Sequence, residues 1–308
     1  YEKGAYSWIG LPSLGNDPDG EEKQAYYIHQ QGLNNDFWGT TFSANYKKDN
    51  IDLLVGGALN RYQGAHIKDL LWAEKAYTSY KNNYSYEGLN TKEEASGFAK
   101  LTYTLNSKWS LFADMQLRYV NYEAKKYKVN EALYNFNPKM GVTFNLNPNN
   151  SFYLSYARAT KEPNRSDYKD YAKELKKNAL AKKPVAEKLN DFELGWRYQS
   201  DKVVLNVNGY YMGYQDQLIP TGKLNETGYP IRENVGSSYR SGIEADATVH
   251  LSTKWVWQPN VAFSKNITKD YKTEKKKVIT YWGDTQISYS PSAVIGNTIS
   301  FLPIKNFQ

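Results

Sequence analysis

The sequence predicts an all-β protein: an antiparallel transmembrane β-barrel, with short turns at one rim and long loops at the other. Three observations predict it. Apolar and polar residues alternate with period two over stretches of about 10 residues, the length of a tilted strand that crosses a bilayer. Short turn signals and long polar stretches alternate between those strands. Aromatic residues are abundant, with 28 tyrosines and 8 tryptophans among 308 residues.

Taken in order, residues 37–46, FWGTTFSANY, read as a strand, KKDN as a turn, and 51–61, IDLLVGGALNR, as its return. Residues 95–105 and 109–121 pair through NSK; on the second, Leu111, Met115 and Leu117 alternate with Asp114 and Arg118. Residues 136–146 and 151–160 meet at NPNN, a run of turn formers. In SFYLSYARA, Phe152, Leu154 and Tyr156 share one face. Residues 191–199 and 202–215 meet at SD, with Glu193 and Arg197 on one face of the first and Val203, Leu205 and Val207 on one face of the second. Residues 238–250 and 254–266 meet at STK, and the first of them carries Glu244 and Asp246 on its polar face. A last hairpin is expected from 279–290 and 293–302, turning at PS. That makes roughly twelve strands. Residues 1–35, 62–92, 122–134, 161–189, 216–236 and 267–278 read as long loops.

Alternation alone permits a soluble barrel or sandwich whose apolar face is buried. Three features favour lipid instead. The strands are long and uniformly amphipathic. Trp109, Trp255, Trp257, Tyr281 and Trp282 fall near strand ends, as interfacial girdles require. No helix or linker is evident that would cover a second face. Phe152, Leu154, Tyr156, Leu111, Met115, Leu117, Val203, Leu205 and Val207 are therefore expected to face lipid. Asp114, Arg118, Glu193, Arg197, Glu244 and Asp246 are expected to line the lumen. A soluble β-rich binding protein or adhesin is the competing reading. Helical spans are excluded by a mean hydropathy of −0.74.

Cysteine is absent, which excludes disulfides, zinc-thiolate sites and thiol catalysis within these residues. His29, His66 and His250 are scattered without metal-ligand spacing, and no catalytic motif is present, so no metal, cofactor or enzymatic activity is expected. The formal charge is +7, and the cations crowd into 161–188 and 269–277 with no nucleic-acid motif beside them. Lys161, Arg165, Lys173, Lys176 and Lys177, with Tyr168 and Tyr171 as flat contacts, make a candidate patch for an anionic ligand. The competing account is a short solvated helix, or cations that neutralise lipopolysaccharide phosphates.

NFNPKMGVTFNLNPNNSFYLSYARATKEPNRSDY (135–168) resembles the barrel segment of TonB-dependent outer-membrane receptors, where an F-x-P-K/R-x-G strand and an Asn-rich turn lead into a YxSYAxAxxEPxRxDY strand and a long outer loop. AEKLNDFELGWRYQSDKVVLNVNGYYMGYQDQLIPTG (186–222), ENVGSSYRSGIEADATVHLSTKW (233–255) and ISYSPSAVIGNTISFLPIKN (287–306) resemble the hairpins that follow in the same order. The Tyr-, Asn- and Lys-rich texture is similar to that of receptors from the Bacteroides group.

The resemblance implies a bacterial outer-membrane location and a 22-stranded barrel of which residues 1–308 supply about half. The plug domain, the TonB box and the last strands are not recognised in them. It implies gated import without bond chemistry, of a ferric siderophore or similar iron chelate, with cobalamin or an oligosaccharide as alternatives. The partners implied are the inner-membrane TonB complex, outer-membrane lipid and lipopolysaccharide, the small-molecule ligand and, for a glycan importer, a surface lipoprotein. Haem receptors of the family place a His in the loop matching 161–189, and this loop has none, which argues against haem.

Overall fold

The computed structural model describes residues 2–5, 15–16, 18–75, 89–177, 179, 181–225, 228–275 and 278–301. Among the described residues, thirteen strands make one sheet: β1 (Glu2–Ala5), β2 (Gln24–Lys48), β3 (Ile51–Ala73), β4 (Leu89–Thr104), β5 (Trp109–Ala124), β6 (Val129–Asn147), β7 (Asn150–Lys161), β8 (Glu187–Gln199), β9 (Val203–Leu224), β10 (Pro230–His250), β11 (Trp255–Lys275), β12 (Val278–Gln286) and β13 (Ala293–Phe301). Each strand from β1 to β12 lies beside its neighbour in sequence, and β13 lies beside β11. A 3-10 turn spans Lys125–Tyr127, and helix α1 (Arg165–Lys177) joins β7 to β8.

The chain divides into two compact units. The first takes in residues 1–41, 58–95 and 119–133. It buries Ala25, Tyr27, Ala65, Val120, Ala124 and Val129. Its ties include the Tyr26 amide donating to Glu74 Oε2 at 2.8 Å and an Arg61–Glu93 ion pair at 3.5 Å.

The second unit takes in residues 42–57, 96–118 and 134–308. Its ladder fixes which side chains share a face. Val142, Leu154, Leu194, Gly209, Ile243 and Phe263 form one row across β6 to β11, each beside the next. Phe144, Phe152, Trp196, Val207, Ala245 and Val261 form the row nearer the short turns. Val203, Leu205 and Tyr156 belong to the same face. Between those rows, pointing the other way, lie Thr143, Tyr153, Gly195, Asn208, Glu244 and Ala262. On β5, Gln116 accepts from Asn137 Nδ2 of β6 at 3.2 Å, so Asp114, Gln116 and Arg118 sit on the polar face. Leu111, Met115 and Leu117 then share the apolar face, all three exposed.

Short turns are set by side chains that cap their own backbone. LNSKW and LSTKW fold alike: Asn106 Oδ1 accepts the amides of Lys108 and Trp109, and Ser252 Oγ accepts those of Lys254 and Trp255. Each turn delivers a tryptophan to the end of a strand, where Trp109 meets Phe144 and Trp255 meets Phe301 with ring centroids 4.5 Å apart.

Two expectations need correction. The long loops are largely strand. β2 begins at Gln24, β3 runs to Ala73, β9 reaches Leu224, β10 starts at Pro230 and β11 reaches Lys275. The 122–134 segment is likewise strand except for its 3-10 turn, while residues 76–88, 276–277 and most of 6–17 lie outside the described residues. Pairing continues past the amphipathic stretch, as in Gln217↔Val235, because ladder hydrogen bonds need no apolar face. The second correction concerns PS. β12 and β13 both run antiparallel to β11, along Ile267–Lys275 and Trp255–Phe263 respectively, so the chain does not reverse between them. Residues 287–292 are an interruption in one long path, where Pro291 offers no amide hydrogen and Tyr289 takes φ +57°.

Candidate functional site

The segment between β7 and β8 carries the candidate basic patch, and its acids hold it in place. Glu162 receives both arms of the Arg118 guanidinium, at 2.8 and 2.9 Å. Two residues on, Asn164 and Asp167 form a reciprocal cap: the Asn164 amide donates to Asp167 Oδ2 at 2.8 Å, and the Asp167 amide donates to Asn164 Oδ1 at 3.1 Å. The same buried carboxylate accepts from Arg232 of β10, Nε to Oδ1 at 3.0 Å and Nη2 to Oδ2 at 2.6 Å. The first turn of helix α1 therefore holds, in Asp167, a residue that is capping partner and ion-pair partner at once.

This scaffold sorts the candidate ligand contacts. Tyr168 is 2% exposed and cannot offer a flat surface to a ligand; the apolar stripe Tyr168, Tyr171/Ala172, Leu175 turns its first residue into the protein. Tyr171, Arg165 and Lys173 are half-buried, and Lys176 is exposed. The Lys177 side chain lies outside the described set. Lys161 pairs with Glu187 Oε1 at 3.2 Å while remaining largely exposed itself.

The exit of the segment is tied as firmly. Glu187 Oε2 accepts the Leu218 amide at 3.1 Å. Asn234 of β10 accepts the Val185 amide at 2.9 Å, and its Nδ2 donates to the carbonyls of Val185 and Asp216 at 3.0 and 2.6 Å. Nearby, Ile219, Val235 and Ile287 form a small core against Tyr271. Burial raises the Tyr271 phenol above its ordinary value, and the charge of Glu233 adds to that. Further along β11 and β12, the hydrogen bond from Lys269 Nζ to Asp284 at 2.6 Å holds that carboxyl below its ordinary range and raises the lysine. The aspartate's contribution is lost only as pH falls through its lowered value, and the lysine's only as pH rises through its raised one, so the pair persists across neutral pH.

The polar face of the sheet brings together Glu193 and Arg197 of β8, Asn206 and Asn208 of β9, and Glu244 and Asp246 of β10. Tyr153 organises it. Its ring lies 4.4 Å from the Arg197 guanidinium, and its hydroxyl donates to Asn208 Oδ1 at 3.1 Å. The ring lies over Gly195, where a Cβ would collide with it. Gly195→Ala should therefore displace Tyr153 and break both contacts, at about 1–3 kcal/mol of stability. Denaturant titration should show that loss, and Gly209→Ala, whose Cβ meets nothing closer than 3.8 Å, should not. Among the described residues, no group of three or more His, Asp or Glu side chains is placed to hold a metal ion.

Sequence reasoning singled out the cations of this segment and passed over Glu162, Asp167, Glu187, Arg232 and Asn234. The N-x-x-D spacing of Asn164 and Asp167 was the available signal for the helix start.

Comparison with known proteins places this geometry in a family. Residues 3–303 match the family model described as TonB dependent receptor-like, beta-barrel. The siderophore receptor PiuA from Acinetobacter baumannii is similar in structure at a TM-score of 0.62 and 13% identity, over 89% of this chain and 45% of that one. The ferric yersiniabactin uptake receptor FyuA from Yersinia pestis is similar at 0.55 and 15%, over 90% of this chain and 41% of that one. The copper transporter OprC is similar at 0.58 and 17%, over 78% of this chain and 39% of that one. The chain thus spans less than half the length of each. No curated protein matches it in sequence.

Proposed function

This chain belongs to the TonB-dependent receptor β-barrel family of the outer membrane, and we propose that it forms part of the wall of a gated importer for a scarce, anionic iron chelate such as a ferric siderophore. The energy would come from the inner-membrane TonB complex. The apolar face bearing Phe152, Leu154, Tyr156, Leu111, Met115, Leu117, Val203, Leu205 and Val207 is the lipid face in this reading. In water, a contiguous face with Leu117 at 65% and Ile243 at 60% exposure would forgo about 1.5–3 kcal/mol for each large side chain left unburied. The polar face bearing Asp114, Arg118, Glu193, Arg197, Glu244 and Asp246 lines the lumen. No bond-making chemistry is assigned to either face.

One observation carries the choice of cargo: the basic segment 161–177 is not a floating tail but leads into a helix over 165–177 that is fixed at its first turn, with Arg165, Lys173 and Lys176 held on it. Fixed cations recognise a compact anion at lower entropic cost than mobile ones. The siderophore receptor PiuA and the ferric yersiniabactin uptake receptor FyuA support the reading as relatives in fold.

The test is binding by the complete receptor to a panel of ferric chelates, cobalamin and oligosaccharides. A ferric siderophore should bind, and Lys173→Gln/Lys176→Gln should weaken that binding about tenfold, from the loss of two charge-assisted contacts. Binding of only cobalamin or a neutral glycan, indifferent to those substitutions, would replace the iron-chelate reading with one of those cargoes.

A further inference from the structure

Along the apolar face, polarity rises in steps towards the helix α1 end of the sheet. The row of Val142, Leu154, Leu194 and Ile243 is wholly apolar. The next is aromatic, with Met140, Tyr156, Phe192 and Tyr211 side by side. Then come Arg158, Asn190, Gly213 and Tyr239, and after them Thr160, Lys188, Gln215 and Ser237.

Two grooves follow the same gradient. The lower one, of about 640 Å3, is walled by Leu101, Leu111, Val142 and Leu154. The upper one, of about 760 Å3, opens where Gly213 presents no side chain, between Tyr156, Phe192, Tyr211 and Gln215. Met140, Tyr156 and Phe192 wall both, so the grooves adjoin. Tyr156 donates its hydroxyl to Asn190 Oδ1 at 2.9 Å, which fixes the boundary between the apolar and polar halves. Arg158 is exposed beside Asn190, and Lys188 stands on the neighbouring strand one row further on, a diagonal that two long side chains can close on one anion.

From this arrangement we propose that the outward face of β6–β9 is a seat for one phosphorylated, acylated lipid of the surrounding leaflet. The occupant is a glycolipid: an acyl chain lies in the lower groove, the sugar backbone meets Asn190 and Gln215, and the phosphate rests between Arg158 and Lys188. Lipid matching this gradient gains dispersion contacts below, among the acyl chains, and charge-assisted hydrogen bonds above, at the level of the headgroups. The inference rests on the lipid-facing reading of this face and adds a site to it.

The test offers the purified complete receptor equal amounts of synthetic bis-phosphorylated lipid A, its dephosphorylated analogue and phosphatidylcholine, and counts retained lipid by native mass spectrometry. The bis-phosphorylated form should be retained at least about tenfold over the dephosphorylated one, and Arg158→Gln/Lys188→Gln should abolish that preference. Equal retention of the two lipid A forms, or an undiminished preference in the variant, would overturn the proposal. Heat-modifiable mobility establishes that the variant is folded; if it is not, the wild-type comparison of the two lipids decides alone. A spin label on Leu154→Cys in a reconstituted bilayer separates the two layers of argument. A label that reads water overturns the lipid-facing reading itself, whereas one that reads hydrocarbon beside unselective retention overturns only the lipid seat.

Discussion

Replacing Arg232 with alanine should unfasten the first turn of helix α1 at a cost of about 3 kcal/mol. The Asp167 carboxylate is nearly inaccessible, with its side chain 4% exposed, and it faces the guanidinium through two hydrogen bonds. Removing the cation leaves a buried carboxylate that keeps, among the described residues, the hydrogen bond from the Asn164 amide, and that contact cannot replace bulk hydration. The first turn must then open to rehydrate the charge. Hydrogen exchange at residues 165–177 should accelerate about a hundredfold, and affinity for the cargo should fall with it, although Arg232 lies outside the basic patch. Arg232→Met with Asp167→Leu gives the discriminating comparison. It removes both charges along with the carboxylate half of the reciprocal cap, and should cost about 1–2 kcal/mol, less than the single change. If the single variant exchanges no faster than the wild type, helix α1 is held by its packing and not by this pair, and the argument that fixed cations select the cargo loses its basis.

The legible parts of this fold are those whose physics is local. Leu154 and Ser155 are adjacent, point to opposite faces and declare it by their chemistry, so period two could be read straight off the chain. LNSKW and LSTKW announce turns because Asn106 and Ser252 cap the backbone within three residues of themselves. The strand extensions were illegible for the converse reason. Gln217 and Ser238 are both buried and bond to each other through Oε1 and Oγ at 2.7 Å, so polar side chains are buried beside Ile219 and Val235 and the period-two contrast is blurred there. At PS the local signal misled: Ser290 and Pro291 do interrupt a strand, but which strand each flank joins is decided by β11, not by the turn residues. In the site, cations were visible as a run, whereas their supports were not. Arg118 is 44 residues from Glu162 and Arg232 is 65 from Asp167, and nothing in a single sequence ties together partners so distant.

Exchanging Leu154 for arginine separates the two solvents this sheet was read against, and it does so by sign as well as size. Leu154 lies between Val142 and Leu194, in the apolar row flanked on one side by Phe152 and Trp196 and on the other by Tyr156 and Phe192. Those aromatic rows mark the approaches to the two interfaces, so position 154 is about as far from headgroups as this face allows, and a guanidinium there has little scope to reach water. In a bilayer Leu154→Arg should cost about 2–4 kcal/mol. In water the same change exchanges an exposed apolar side chain for a solvated one and should move stability by no more than about 0.5 kcal/mol in either direction. Ser155→Arg is the internal control. It enters the opposite face directly across from Glu193, where an added cation meets a carboxylate, and should cost less than about 1 kcal/mol. Guanidinium titrations of the complete receptor refolded into phosphatidylcholine vesicles, read by heat-modifiable mobility, would rank the two. A larger loss at 155 than at 154 would turn the sheet inside out: the carboxylate-bearing face would be the one that meets lipid, and the lumen would have to be sought among Phe152, Leu154 and Tyr156.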